Sequence, residues 1–257
     1  MYLFLSAELP ITQLFNDYLG VGAGHLLDSL GIHAHNPARP FTNWVAVQIF
    51  TVLLLIGLFV IVRTRLSVDN PGVLQHITES FHNFIDNLGR ELIGHHHERF
   101  TPFLLSLGLF ILSMNLIGLI PGFESPTANP SVPLGCALAS FVYYHMHGVR
   151  KQGIVHYLLH FAGPQDKSIP LAIRLLIGVI LFPIEIVSHL ARVLSLTVRL
   201  FANIFAGDML TLAFFSLVPL GVPIIFLGLH LGVSLIQTYI FVLLSTVYLS
   251  GAVAEEH

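Results

Sequence analysis

Residues 223–253 contain no Asp, Glu, Lys or Arg. A helix built from them has no charged face to turn to water, and it is long enough to cross a hydrocarbon core ~30 Å thick, which takes about 20 residues. Residues 45–62, "VAVQIFTVLLLIGLFVIV", repeat the pattern, and Arg63 and Arg65 follow at once. Two further candidate spans are 101–122, ending in "NLIGLIPG", and 132–148, "VPLGCALASFVYYHMHG", which Arg150 and Lys151 close. Composition agrees: 54% of the residues are hydrophobic and 10% are charged, against roughly 25% charged in a soluble domain. In lipid each segment must satisfy its own backbone polar groups, so the expected fold is an all-α polytopic membrane protein.

Residues 171–217 are also apolar, yet they hold Arg174, Glu185, Arg192, Arg199 and Asp208. They read either as two spans joined by a polar turn near 191–198 or as one long helix. Neither Gly nor Pro occurs from Ile184 to Ala206, which favours the single helix. At about 1.5 Å per residue it would extend roughly 70 Å, over twice the core thickness, and would have to tilt steeply. The expectation is about five membrane-embedded helices, including a long hairpin over about 168–218 and 222–253. They form one membrane domain over 1–257: an external segment 1–44, three spans with a surface helix in 45–148, and the hairpin within 168–253.

Basic residues set the expected orientation. The 63–99 connection holds Arg63, Arg65, Arg90 and Arg99, the 149–170 connection holds Arg150, Lys151 and Lys167, and 122–131 and 218–222 hold none. The two basic connections are therefore expected on the cytoplasmic side, with the N-terminus outside and the "AEEH" tail inside. Within the first of them, Val73, Ile77, Phe81, Phe84, Ile85, Leu88 and Leu92 recur at helical spacing with polar residues opposite. That is an amphipathic helix over about 72–94, lying on the cytoplasmic membrane face or docked as a surface helix. The opening "MYLFLSAELP" lacks the basic start and long apolar stretch of a cleavable signal. Cys136, alone of its kind, reads as a small buried side chain. His95–His97 in "GHHHERF" invite a metal, but contiguous histidines on a helix do not face one ion, and no Cys or carboxylate pattern completes a site. His33 and His35 read as surface residues. No phosphate loop, zinc-protease helix or serine elbow is present, so no catalytic site, metal or cofactor is expected in this chain, and no nucleic acid.

Charges inside the 171–217 helix carry the functional reading, because a guanidinium at mid-membrane costs about 2.5–3.5 kcal/mol on insertion scales. At about 100° per residue, and relative to Arg199, Glu185 falls at about +40°, Ser188 at about −20°, Arg192 at about +20°, Ser195 at about −40° and Asn203 at about +40°. This is one polar stripe, and Asp208 lies about 180° away from it. In an antiparallel hairpin turning near 218–222, facing residues share a nearly constant sum of residue numbers. Gln237 then sits at the depth of Arg199, and His230 at the depth of Asp208. Glu185 and His189 lie toward the cytoplasm, Asp208 and His230 toward the outside. Titratable groups on either side of a fixed positive charge resemble two half-paths for protons with a barrier between them. Other roles stay open. Arg199 could be a structural cation, although its face opposes that of Asp208. Gln237 could serve helix packing, His230 the core, and Glu185 solvent. Asn115 reads equally as a packing residue or as part of the outer water path.

The motifs "SLTVRLFANIFAGDML", "PGVLQHITESFHNF", "MNLIGLIPG", "PIEIVSHL" and "SLIQTYIFVLLSTVYLSGAVAEEH" resemble those of subunit a of rotary F-type ATP synthases, from about residue 70 to the C-terminus. The resemblance implies roles. Arg199 matches the essential arginine facing the carboxylates of a rotating ring of c subunits, Gln237 the glutamine opposite it, and Asn203 the asparagine of the signature. Asp208 and His230 match the acidic–histidine pair of the outer half-channel, and Glu185 the acidic residue of the cytoplasmic exit. His189, Ser195 and Asn115 complete the expected set. The resemblance also implies peripheral-stalk b subunits and a catalytic head reached through the stalks; chain length and the "EEH" ending lean toward a bacterial inner membrane, with that of an organelle as the alternative. Some relatives carry aspartate where this chain has Gly118, so proton uptake here is expected to lean on Asn115, Asp208, His230 and water. The coupling ion, H⁺ or Na⁺, stays open, because the ring carries its binding site. A secondary transporter is the first rival, although transporters show repeated halves with broken helices and this chain shows neither. A non-conducting membrane anchor is the second.

Overall fold

The structure, a computed structural model, describes residues 8–29, 31, 36, 39–67, 71–120, 123, 125–154, 157, 171–217 and 222–253, without side chains at 171–175, 215, 217, 222 and 223. His33, His35, most of the hairpin turn and the "AEEH" tail lie outside the described residues. In chain order the helices are α1 (Pro10–Ser29), α2 (Asn43–Thr64), α3 (Val73–Leu92), α4 (Thr101–Ile117), α5 (Ser131–Gln152), α6 (Leu171–Leu217) and α7 (Val222–Val253). Short 3₁₀ turns occupy His97–Arg99 and Pro126–Ala128, and no strand occurs among the described residues. The fold is all-α, as expected.

Three stretches, Asn43–Thr64, Leu176–Phe214 and Ile224–Val253, are long and apolar enough to cross a membrane. α5 has the length, 22 residues, but carries tyrosines, histidines and a basic last turn. The expected span over 101–122 is shorter, because helix α4 stops at Ile117 and a turn follows. The stretch 171–217 is a single helix of 47 residues, as the absence of breakers from Ile184 to Ala206 implies. Pro183 lies inside it. A proline there forfeits one backbone hydrogen bond, about 3 kcal/mol in a soluble helix, but breaking the helix in lipid would strand several polar groups at once.

The chain packs as two compact units. The first takes Met1–Glu79, Gly108–Asn129 and Asn203–Thr238. There α1 packs on α2, and α2 on the Pro126–Ala128 turn. Helix α1 has no counterpart in the expected organisation of 1–44. It starts on Pro10, whose fixed φ suits a first helical turn, and it buries Thr12, Phe15, Asn16, Gly20 and Gly24 along one side. Asn16 fastens it: its Nδ2 donates to Phe41 O at 3.1 Å and its Oδ1 accepts from Phe41 N at 3.0 Å.

The second unit takes Ser80–Leu107, Pro130–Ala202 and Tyr239–His257. Its core gathers Ile85, Leu88, Phe100, Leu104, Tyr144, Val242 and Leu249. The amphipathic helix is present as α3, but its apolar face is used unevenly. Ile85 and Leu88 are buried, whereas Val73 and Ile77 at the other end are 76% and 60% exposed. That bare end suits a bilayer surface, where apolar side chains of an interfacial helix sink into the headgroup boundary.

The histidine run divides its roles. His97 is buried, its Nδ1 is 3.0 Å from Gly94 O and its Nε2 is 3.2 Å from Asp86 Oδ1. Thr101 Oγ1 donates to the same carboxylate at 3.1 Å. Among the described residues no group of three His, Cys, Asp or Glu side chains is placed to hold a metal. Burial pushes the Asp86 carboxyl up, but the hydrogen bonds from His97 and Thr101, with the charges of His97 and Arg90, outweigh it and hold the pKa below its usual value. A group whose folded pKa is depressed stabilises the fold above its unfolded pKa, about 3.9 for Asp, and loses that contribution as pH falls through the folded value. Asp86→Asn should therefore lower the melting temperature by a few degrees at pH 7. The gap should hold down to about pH 5 and narrow below it. Melting curves of the detergent-extracted protein across pH check this.

Candidate functional site

Helix α6 sorts its residues by angle. His189, Val193, Leu196, Leu200 and Ile204 are buried and recur at helical spacing, so they form the packed side. Leu176, Val179, Val187, Leu190 and Leu194 are 60–73% exposed on the other side, an apolar surface suited to lipid or another subunit. Arg199 is half-buried at the border. Its Nη2 reaches Ser195 Oγ, one turn back, at 3.5 Å. Among the described residues this long contact leaves most of the guanidinium's five donors without a hydrogen bond.

In the first unit, Asp208 Oδ1 lies 3.5 Å from His230 Nδ1, with His230 3% exposed and Asp208 20%. The antiparallel register of α6 and α7 in the sequence foresees this pair. Gly207 makes room for it: a β-carbon at 207 would lie 3.1 Å from His230 Nδ1 and 3.2 Å from Cε1. Asn203 Nδ2 donates to Gln237 Oε1 at 2.8 Å, and Gln237 is buried. The sequence reading put Gln237 at the depth of Arg199. Its described hydrogen bond goes instead to Asn203, four residues on. An interhelical bond of this kind contributes about 0.6 kcal/mol in measured membrane proteins, so it orients the amide more than it holds the helices. Asn115 is fully buried, accepts from Thr127 Oγ1 at 2.7 Å and donates to Thr238 Oγ1 at 3.5 Å.

In the second unit, Glu185 Oε1 lies 3.4 Å from His189 Nε2, and the other imidazole nitrogen, Nδ1, lies 2.9 Å from Tyr144 Oη. Carboxylate, imidazole and phenol thus form a line from half-exposed Glu185 to Tyr144, which is 2% exposed. The His145 ring centroid sits 4.8 Å from that of His189, and Arg192 Cζ lies 5.0 Å above the Tyr248 ring. This cation–π contact gives the second arginine of the polar stripe a partner within the chain.

Sequence reasoning missed Tyr144, Tyr248, Thr127 and Thr238. Tyr144 stands in "FVYYHMH" and Thr127 in "SPTAN", and their polar side chains in or beside an apolar run were the available signal. A sequence profile described as ATP synthase A chain matches residues 45–250, most of the chain. The chain belongs to this family. It is 54% identical over 250 residues to the ATP synthase subunit a of Koribacter versatilis (strain Ellin345), covering 97% of this chain and 98% of that one. It is 49% identical over 245 residues to that of Solibacter usitatus (strain Ellin6076), covering 95% and 100%. It is 38% identical over 213 residues to that of Campylobacter fetus subsp. fetus (strain 82-40), covering 80% and 90%. In this ATP synthase A chain, therefore, the imidazole–carboxylate pairs and the Arg199 guanidinium occur in a membrane subunit of a larger complex. Chemically, an imidazole beside a carboxylate is a group that can hold and pass a proton, whereas a guanidinium is the most basic of the side chains.

Proposed function

We infer that the chain translocates protons across a membrane as part of an ATP synthase, and that it does so through two separate half-paths. The observation that carries the reading is the occurrence of one imidazole–carboxylate pair in each unit, Asp208–His230 in the first and Glu185–His189 in the second, on a helix that also bears Arg199. A proton arrives from outside by way of Asp208 and His230 and neutralises a carboxylate on a ring of c subunits. The neutral site then turns through lipid. Its return brings it to the guanidinium of Arg199, whose charge lowers the carboxylate pKa, and the proton leaves near Glu185 and His189. The same charge repels protons and keeps the half-paths from joining. A membrane potential supplies about 2.3 kcal/mol per charge per 100 mV.

The chain itself then needs no catalytic site. Its partners are the c ring, the peripheral-stalk b subunits and, through the stalks, the catalytic head. We place it in a bacterial inner membrane with its N-terminus outside and its C-terminus cytoplasmic, consistent with the basic residues on the 63–99 and 149–170 connections. Purification by a tag on this chain tests the assembly. Co-isolation of a small proteolipid ring and an ATPase head is expected, and a chain that purifies alone from intact membranes would overturn the reading. Gly207→Ala tests the outer half-path. The added methyl crowds the His230 ring and displaces it from Asp208, and a clear fall in proton conduction is expected. Passive proton flux through head-stripped vesicles measures it.

A further inference from the structure

We propose that Tyr144 is a positioning residue for the inner half-path: its phenol locks His189 in one tautomer and one orientation, so that the imidazole presents an N–H to Glu185. This role rests on the proton-translocation reading and specifies how the cytoplasmic end of the path is held. All three residues belong to the second unit. Tyr144 Oη lies 2.9 Å from His189 Nδ1, and His189 Nε2 lies 3.4 Å from Glu185 Oε1. An ionised carboxylate only accepts hydrogen bonds, so the nitrogen that faces Glu185 carries the proton. In a neutral imidazole the other nitrogen is then a bare acceptor, and Tyr144, the group on it, must donate. The opposite tautomer would put the proton on Nδ1 and turn a lone pair toward the carboxylate.

The phenol can hold the imidazole because its own ring is held. Tyr144 is 2% exposed. Its ring meets Phe141 edge-on at 5.5 Å between centroids, leans on Tyr248 at 6.2 Å and lies within 26° of parallel to the His189 ring at 5.8 Å. A buried ring packed on three sides keeps one rotamer, and its hydroxyl keeps one place. The other titratable or charged groups around the imidazole have contacts of their own. His145 Nδ1 donates to Phe141 O at 3.0 Å, the Tyr157 ring meets that of His145 edge-on at 5.8 Å, and Arg192 Cζ lies 5.0 Å above the Tyr248 ring.

The outer pair has no such hold. His230 Nδ1 lies 3.5 Å from Asp208 Oδ1, but its buried Nε2 has no hydrogen-bond partner among the described residues. The inner imidazole is thus fixed from both sides and the outer one from a single side. With its Nε2–H committed to one carboxylate oxygen, His189 leaves the rest of half-exposed Glu185 to take the proton released from the ring carboxylate and hand it to cytoplasmic water. The carboxylate becomes a carboxylic acid and then a carboxylate again, while the imidazole proton stays on Nε2 and the phenol proton on Oη.

The test uses the assembled ATP synthase in membrane vesicles, with passive proton flux measured after removal of the head. Tyr144→Phe keeps the packed ring and removes the hydroxyl, and flux should fall about fivefold, as expected for losing one buried hydrogen bond. It should add no further loss to His189→Gln, because both changes remove the same interaction. Parent-like flux in Tyr144→Phe overturns the positioning role, and so does a further loss of similar size in the double variant, since a merely structural tyrosine acts independently of residue 189. Should Tyr144→Phe fail to assemble, nitrogen-15 magnetic resonance of the parent complex with labelled histidine rings decides. At about pH 8, where an ordinary imidazole is neutral, the signals that His189→Gln removes should be those of an Nε2–H tautomer, and Nδ1–H signals overturn the role. Glu185→Gln run in parallel separates the two ideas. If it conducts at the parent rate, the inner half-path itself is misassigned; if it slows flux while Tyr144→Phe conducts normally, only the positioning role fails.

Discussion

Arg199→Ala should abolish proton-driven ATP synthesis in a complex that still assembles. The guanidinium sits in an apolar helix at an insertion cost of about 2.5–3.5 kcal/mol, and among the described residues its side-chain hydrogen bond is a long contact with Ser195 at 3.5 Å. So weak a bond does not offset that cost. On the proposed function, the compensation comes from the ionised carboxylate of the c ring. Removing one member of a buried charge pair costs about 3–5 kcal/mol, which is more than a hundredfold in rate. Lysine is a poor substitute, since a desolvated ammonium sheds its proton while a guanidinium does not. Assembly survives because Arg199 lies half-buried at the border of the packed side, away from the buried stripe of His189, Val193, Leu196 and Leu200. The measurement is ATP synthesis driven by an imposed proton gradient, with subunit content checked on the same vesicles. Synthesis at the parent rate would refute the assignment of Arg199.

Gly118→Asp should remove most of the subunit from the membrane. Its β-carbon would stand 2.5 Å from Ser125 Cβ and 3.2 Å from Ser125 N. No rotamer relieves a clash with a β-carbon and backbone. Overpacking of this kind costs about 1–3 kcal/mol, and a carboxylate at this half-buried position adds to it. Displacement of Ser125 also breaks its bond to Thr127 and hence the support of Asn115. Immunoblots of membranes should show subunit levels down about tenfold or more, because a loss of ~1–2 kcal/mol already lowers abundance severalfold. Gly118→Ala isolates the steric part and should show a smaller loss. Normal levels of Gly118→Asp would mean that the approach of Ser125 to residue 118 is not as close as the structure has it.

These two residues mark how far the chain was legible before folding. Arg199 stood out because lipid makes every charge expensive, so a charge within an apolar run signals function before any contact is known. Asp208 and His230 could be paired on paper because two helices joined by a short turn have only one antiparallel register. The unbroken α6 was legible too, since neither Gly nor Pro occurs from Ile184 to Ala206. Gly118 gave no such signal. A glycine in "NLIGLIPG" is compatible with flexibility, helix packing or a missing carboxylate, and only the position of Ser125 tells which.

Helix α1 was hidden for a related reason. Its buried side is built from Thr12, Asn16, Gly20 and Gly24 as well as Phe15, so hydrophobic periodicity is weak, and what holds it is the Asn16 bond to Phe41. Tyr144 was passed over as one aromatic among several, and its 2.9 Å contact with His189 joins residues of two different helices. The sequence by itself determined the medium, the helices and the identity of the intramembrane charges, because hydropathy, the 3.6-residue period and the absence of breakers are local properties. Tertiary structure alone decided that Gln237 bonds to Asn203, that Asp86 grips His97, and that Ser125 closes over Gly118. Each of these is a contact of about 3 Å or closer approach, across a turn for Asp86 and Ser125 and between two helices for Gln237, and side-chain geometry at that scale is settled only when the chain packs.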